Sequence, residues 1–392
     1  MATAPPKDFG FGEDEQMLRD LARKFLDENL PVEKLRQLVA ADSEAAYTRG
    51  ERPGWDEGLW KQIVELGWTG LAVPKEHGGI GAKWIGIVAL VEEVGKHALP
   101  SPLVPTLGAS AALCAAGTPE AGAWLARIAD GTAASLAVTD ARGSWSETDT
   151  DVVAQADGDG VVLSGRACFV QDAFKCGVFV VSAKLGDGVV LCAVPADAAG
   201  LTLEQNHIHD LTRDQAALRF ESVRVAAADV VSRDGATALR AAWPAVLVSV
   251  AADLCGTSEW QLQTTVAYAT ERKQFDRQIG FFQAVKHPLV NAMVDIDRAR
   301  SLLYDAACKL DTAENDTDRE ATDTAARMAK SAASDAGRFV SDRSVQLHGG
   351  IGFTWESDIH LYFKRSLHNQ ALYGDGVEQR KVIAERLMGA VE

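Results

Sequence analysis

The sequence predicts an α+β chain in three consecutive parts: an N-terminal α-helical domain (residues 1–131), a middle antiparallel, barrel-like β-domain (132–233) and a C-terminal four-helix bundle (234–392). Three observations carry that expectation. Helically spaced apolar residues dominate the chain up to Asp130, and short alternating runs split by Asp-Gly and Gly-Asp pairs take over from Thr132. From Gly235 the helical period returns and stays. At 392 residues the chain is also long for one hydrophobic core, so several domains are the expected solution.

In order, Met17, Leu18, Leu21, Ala22, Phe25 and Leu26 stripe one face of a helix over residues 13–30, which Pro31 stops. A polar, acidic stretch containing Pro53 leads to a helical pattern over residues 55–66, ended by Gly67. Residues 74–81, Pro-Lys-Glu-His-Gly-Gly-Ile-Gly, read as a structural loop. They lack both a preceding strand and the Gly-x-Gly-x-x-Gly spacing of a dinucleotide fold. Helices follow at 84–97, 107–116 and 119–130. Strands are expected at 133–138, 152–156, 161–170, 178–183, 189–194 and 217–225, with hairpin turns at 157–160 and 186–188. Long helical patterns cover 237–273, 284–311 and 316–347, and shorter ones 358–372 and 377–388, enough for a bundle.

Composition narrows the partners. With 47% hydrophobic and 24% charged residues the chain reads as an ordinary globular protein. Its net charge of -16 argues against nucleic acid or an anionic membrane, both of which need a basic face, so an anionic ligand requires a local cationic cluster. Six scattered cysteines without a Cys-x-x-Cys pair read as free thiols, not as disulfides or a metal site. The N-terminus has no apolar signal region and no run reaches about 18 uninterrupted apolar residues, so a cytoplasmic location is expected.

Two stretches stand out. Residues 346–353 read Gln-Leu-His-Gly-Gly-Ile-Gly-Phe, with glycines at 349, 350 and 352 straight after a helical pattern; they end the helix and allow a flat ligand to touch the backbone, or simply form a C-cap and turn. Residues 271–283 read Glu-Arg-Lys-Gln-Phe-Asp-Arg-Gln-Ile-Gly-Phe-Phe-Gln, followed by Ala-Val-Lys-His. In these stretches the chain resembles the acyl-CoA dehydrogenase family of flavoenzymes, and the likeness extends over nearly the whole chain with the motifs in the family's order. The resemblance implies the same helical, β, helical architecture, FAD as cofactor and an oligomer whose cofactor lies across a subunit interface.

Residue by residue, Val138-Thr139-Asp140 with Gly143-Ser144 is similar to the family's Val-Thr-Glu-Pro-x-x-Gly-Ser segment. This implies that Val138, Thr139 and Ser144 hold the flavin, where preplaced donors stabilise the charge gained on reduction. Without the resemblance the same residues read as a strand end and a turn. Asp140 and Arg142 depart from the family pattern, Arg142 at the thioester entrance. Phe169-Val170-Gln171-Asp172 corresponds to Trp-Ile-Thr-Asn, so Phe169 would face the flavin, with Gln171 replacing a hydroxyl. Arg272 offers a fork of donors to a pyrophosphate and Phe275 a face to adenine; alone, Arg272 also reads as an ion-pair partner of Glu271 or Asp276. Gln283, Gln346, Gly349, Gly350 and Gly376 complete the cofactor set that the resemblance implies, with Arg272, Phe275 and the 346–350 loop serving the neighbouring subunit's FAD.

The activity implied is FAD-dependent α,β-desaturation of a CoA thioester, in which a carboxylate takes the α-proton, the β-hydride goes to flavin N5, and electrons pass on to an electron-transfer flavoprotein. Most members draw the base from a Tyr-Glu-Gly-Thr segment between the last two helices, where this chain reads Leu372-Tyr373-Gly374-Asp375-Gly376-Val377. Counting without gaps puts Tyr373 at the base position, matching the Tyr puts Gly374 there, and a shift of one or two residues brings in Asp375. The other site a few members use, residues 243–248, holds no carboxylate. Asp375 is therefore the candidate base, while Asp375-Gly-Val-Glu378 also has the form of a capping box. Residues 353–365 look like the actinobacterial steroid and cholesterol side-chain branch, in which unlike subunits pair and only one bears the base. A steroid side chain or other bulky acyl group is the implied substrate. A non-catalytic subunit of a heterotetramer with a second acyl-CoA dehydrogenase-like chain is the alternative to a homo-oligomeric enzyme. Lys364 and Arg365 read as a solvated cationic helix face, ahead of a role in holding an anionic ligand.

Overall fold

The computed structural model describes residues 12–40 and 54–389; the N-terminal segment read for a leader and nearly all of the acidic stretch through Pro53 lie outside the described residues. The N-terminal part contains α1 (Glu13–Asn29), α2 (Val32–Ala40), α3 (Glu57–Glu65), α4 (Trp84–Lys96), α5 (Leu103–Ala116) and α6 (Pro119–Ala129). The sequence reading ran past α2. Pro31 does end α1, but it stands just before Val32, where a helix has no use for the missing N–H. Arg36 on α2 grips Asp358 near the far end of the chain through two bonds of 2.6 and 2.7 Å.

The strands are β1 (Ala134–Ala137), β2 (Asp151–Asp157), β3 (Gly160–Gln171), β4 (Val178–Leu185), β5 (Gly188–Pro195), β6 (Leu201–Gln205), β7 (Gln215–Val225) and β8 (Val230–Ser232). They form one sheet in the order β6-β7-β3-β2-β4-β5-β8, with β1 paired to β4. The expected purely antiparallel sheet is in fact mixed. β1 runs parallel to β4, and β2 meets β4 in parallel at Val153 and Lys184. A hairpin forces its strands antiparallel, and the two Gly-Asp turns do so for β2–β3 and β4–β5. β1 leads into a long excursion before β2, so nothing imposes that direction on it. β6 and β8 escaped sequence reading because one is short and half-polar and the other only three residues long.

The C-terminal part contains α7 (Gly235–Glu271), the two-stranded hairpin β9 (Lys273–Gln274) and β10 (Arg277–Gln278), α8 (Gln283–Thr312), α9 (Asp316–His348), α10 (Ile359–Ala371) and α11 (Gly376–Met388). α7 is long and apolar enough to cross a membrane, yet 89% of its most apolar window is buried inside the protein, which makes it a core helix. It crosses α4 backbone to backbone. A Cβ built on Gly95 would stand 2.2 Å from the Asp253 carbonyl oxygen, and one on Gly256 would stand 1.9 Å from that of Glu92. One hydrophobic core runs from α1 through the sheet to α7, α8 and α9.

Candidate functional site

The first group of candidate residues gathers where α7 and α9 end. Arg272 caps α7, is exposed, and forms no ion pair with Glu271 or Asp276 among the described residues. The chain then turns between β9 and β10 through Phe275 (φ +54°) and Asp276 (φ +58°). A two-residue turn with both φ values positive suits Asn-Gly, and holding a phenylalanine there costs about 1–3 kcal/mol. The ring is 84% exposed at the tip, an apolar group held out to water by a strained turn. The His348 ring at the end of α9 stacks on Tyr268, with centroids 4.4 Å apart, and the Tyr268 hydroxyl donates to the His348 carbonyl at 3.4 Å. That stack ties the two loops together.

The Gly349-Gly350 pair beyond it differs from Gly79 in the 74–81 loop. A Cβ on Gly79 would stand 2.1 Å from the Val73 carbonyl oxygen, so the chain's own packing demands that glycine. A Cβ on Gly349 or Gly350 would meet nothing within 4 Å. Gly349 needs its positive φ of +64°, but nothing inside the protomer asks for glycine at 350. The surface there is open to an external group, and exposed Gln346 and Gln283 stand at the adjoining helix ends, in the last turn of α9 and at the start of α8. A dinucleotide fits this donor set: a free guanidinium for pyrophosphate, an exposed ring for a base, and bare backbone for close approach.

The second group lines the sheet. Thr139, next to Val138, pairs across to Cys168, whose amide donates to the Thr139 carbonyl at 2.8 Å. β3 bulges between Ala167 and Val170, and Phe169 in the bulge has φ +57° and is turned outward beside Trp145, centroids 6.4 Å apart. The Ser144 hydroxyl donates to Asp149 at 2.7 Å, and the amides of Arg142 and Ser144 both donate to Asp140 Oδ1, at 3.0 and 2.9 Å. Asp140 thus forms the turn, and the Arg142 guanidinium folds back on it at 2.8 Å. Gln171 is buried, its amide nitrogen donating to the Phe169 carbonyl at 2.9 Å and its oxygen accepting from His368 Nε2 at 2.6 Å. Burial holds the His368 imidazole below its usual pKa, and its contact with the Gln171 oxygen fixes the orientation of that amide. Nothing in the sequence pointed to His368.

The third group is the connection between α10 and α11. Asp375 caps α11, with its Oδ1 accepting from the amides of Val377 and Glu378, both at 2.9 Å. A Cβ on Gly376 would come within 2.6 Å of Asp335 Oδ1 and 3.1 Å of the Ser331 carbonyl, so α11 packing on α9 accounts for that glycine. Tyr373, at φ +58°, buries its ring edge-on against Trp145 (4.9 Å) and tilted beside Trp243 (5.5 Å), whose indole nitrogen donates to the Trp145 carbonyl at 3.1 Å.

Arg365 overturns one expectation. It is fully buried, not solvated, because α10 packs against α7 and α9 and turns this side chain toward α7. Its guanidinium holds Asp253 through bonds of 2.9 and 2.5 Å and Thr212 at 2.7 Å. Asp253 also accepts from Arg213 at 2.9 Å and Asn369 at 2.7 Å, and Arg213 reaches Asp172 at 3.2 Å. Burial pushes the Asp253 carboxyl up, but Arg365 and Arg213 outweigh it and hold it below the usual carboxylate range. Lys364 is half-buried, 5.3 Å from the Trp355 ring centre.

The sheet wall and the α10–α11 connection therefore meet through Trp145–Tyr373 and Gln171–His368. Among the described residues no hydrogen bond or ring contact joins them to Arg272, Phe275 or Gly350. Within one protomer the two groups are separate clusters.

Comparison with known proteins matches the chain on both sides of the middle sheet. Residues 12–132 match the acyl-CoA dehydrogenase N-terminal domain and residues 247–388 the C-terminal domain. The acyl-CoA dehydrogenase IpdE2 of Mycobacterium tuberculosis is 32% identical, over 90% of this chain and 91% of that protein. Among solved structures, a variant of the Tcur3481-Tcur3483 steroid ACAD superposes with a TM-score of 0.84 at 29% identity, covering 96% of this chain and 98% of that one. The ChsE4-ChsE5 complex from Mycobacterium tuberculosis gives a TM-score of 0.85 at 25% identity, covering 98% and 100%. With matches at both ends and a relative of such identity along nearly its full length, this chain belongs to the acyl-CoA dehydrogenase family of FAD-binding oxidoreductases, among relatives from the actinobacterial steroid branch.

Proposed function

We propose that this chain works in an FAD-dependent acyl-CoA dehydrogenase that introduces a double bond between Cα and Cβ of a CoA thioester, the acyl group being a steroid side chain or one of similar bulk. The observation that carries the reading is the outward-facing half-site of Arg272, strained Phe275 and Gly350, separate from the sheet wall of Val138, Thr139, Phe169 and Gln171. Each half lacks what the other has, so a complete site takes its wall from one protomer and its dinucleotide end from another. FAD, when bound, accepts the β-hydride at N5. Val138, Thr139 and Gln171 orient the ring, Phe169 and Trp145 shield it from water, and Asp375 takes the α-proton. An electron-transfer flavoprotein receives the electrons. Purified protein should be yellow, and an acyl-CoA should bleach its flavin band without oxygen; a folded, colourless protein would sink the proposal.

A second reading is favoured by the α10–α11 connection. Tyr373 projects inward from the middle of that segment, and Asp375 Oδ1 is committed to two amides. This supports a non-catalytic subunit that lends Arg272 and the Gly350 loop to the FAD of an unlike partner chain, and the solved ChsE4-ChsE5 complex is of two components. Co-expression with a second acyl-CoA dehydrogenase-like chain separates the readings. Turnover confined to the pair favours the second, and turnover by this chain alone excludes it.

A further inference from the structure

Neither reading uses Lys330. It lies on α9, is fully buried, and spends all three ammonium N–H groups on oxygen: Ser334 Oγ at 2.8 Å, the Gln370 carbonyl at 3.0 Å and the Gly374 carbonyl at 2.9 Å. Gln370 belongs to the last turn of α10 and Gly374 to the connection, so one side chain from a third helix fastens both. Gln379 adds a second strap, donating to the Tyr373 carbonyl at 2.7 Å and itself held by Arg327 at 3.0 Å. What these straps hold is Tyr373, in a left-handed conformation and wedged between Trp145 and Trp243. Behind its ring, between Val104 and Gly108 of α5, Val246 and Val250 of α7, and Gln171 and Arg213, remains a mostly apolar cavity with room for about one water.

We infer that Lys330 is a positioning residue, a latch that keeps Tyr373 plugging this cavity, and that releasing it opens the cavity to an apolar chain. That the chain entering is the acyl part of a CoA thioester rests on the dehydrogenase reading above. An ammonium gives one N–H to each of the three oxygens, and a neutral amine still spans them with two N–H groups on the carbonyls and its lone pair on the Ser334 hydroxyl. Around Nζ stand Ser334 from its own helix, the Gln370 carbonyl from α10, the Gly374 carbonyl and the Asp375 carboxylate from the connection, and the uncharged Gln379 from α11. The charged groups nearby on α9 and α11 pair among themselves, Arg380 with Asp335 at 2.6 Å, and Arg327 and Arg386 with Asp323. Burial pulls the Lys330 pKa down to about 7, and Asp375 is the one charge opposing it.

The test compares full-length wild type with Lys330→Met, which keeps length and loses every N–H, and with Tyr373→Gly, which suits the positive φ and removes the plug outright. Tryptophan emission reports the wedge, and calorimetry reports octanoyl-CoA binding against CoA alone. Lys330→Met should shift the emission towards that of Tyr373→Gly and bind octanoyl-CoA about tenfold tighter than wild type, the value of burying roughly two further methylenes. If Tyr373→Gly binds octanoyl-CoA but Lys330→Met matches wild type in emission and affinity, the latch is refuted. If Lys330→Met moves the emission and neither variant takes up octanoyl-CoA, the latch stands and the dehydrogenase reading fails. Should Lys330→Met not fold, Gln379→Leu removes the second strap; a smaller shift of the same sign supports the latch, and none overturns it.

Discussion

Asp375 can be asked two questions with two substitutions. In the structure its Oδ1 takes both free amides at the start of α11 at 2.9 Å. Asp375→Ala removes that cap at a cost of about 1 kcal/mol. Asp375→Asn keeps the accepting oxygen and gives up only the negative charge at the helix start, about 0.3–1 kcal/mol. A chain of 392 residues has an unfolding entropy of about 0.8 kcal/mol/K at roughly 2.1 cal/mol/K per residue, so each kcal/mol moves the melting temperature by little more than about 1 °C. Stability is nearly blind to either change. Catalysis is not, if this carboxylate takes the α-proton: losing a general base costs about 10²–10⁴-fold in rate, or roughly 3–5 kcal/mol of barrier. The assay is anaerobic flavin bleaching by acyl-CoA in the assembled protein, alongside a thermal melt. An Asp375→Asn protein that turns over at the wild-type rate refutes the base. One that melts several degrees lower refutes the account of the cap.

Asp253→Asn removes the carboxylate shared by two buried arginines and should cost about 3–5 kcal/mol, a fall of about 4–6 °C in melting temperature; a drop below about 1 °C would show that the network is dispensable. Phe275→Ala, at a ring 84% exposed, should leave protomer stability within about 0.5 kcal/mol while FAD is lost more readily on gel filtration; unchanged FAD retention would remove Phe275 from the cofactor set. Because burial lowers Lys330 to about 7, the unfolded chain binds more protons than the folded one from there up to the ordinary lysine value. Stability relative to Lys330→Met should therefore rise with pH in that window, by at most about 1.4 kcal/mol per unit; urea titrations at both ends would detect a fall instead.

Long periodic stretches were legible in the sequence because their packing is local in pattern. The helix predicted over 84–97 forms at Trp84–Lys96, and that over 316–347 at Asp316–His348. What escaped depended on neighbours far away in sequence. The direction of β1 is set by β4, not by a turn, and the burial of Arg365 by a carboxylate on α7. The Gly349-Gly350 and Phe275 stretches stood out in the sequence because the glycines, and likewise Arg272 and its aromatic, lie close together in the chain, and the family resemblance supplied the role proposed for them. His368, Lys330 and the wedge around Tyr373 left none: a lysine in an alanine-rich helix looks like a surface residue until α10 and α11 close over it.

The glycine contact between α4 and α7 bears on how the chain is made. α4 is buried over almost its whole length, and the surface it rests on belongs to a helix that leaves the ribosome much later, after the entire sheet. The first third of the polypeptide thus emerges with an apolar rod that has α1 to rest on but not yet its main partner. Expressed alone, that third should come out as aggregate or a loosely ordered globule, and a side chain larger than hydrogen at position 95 or 256 should lower the yield of intact protein more than its activity.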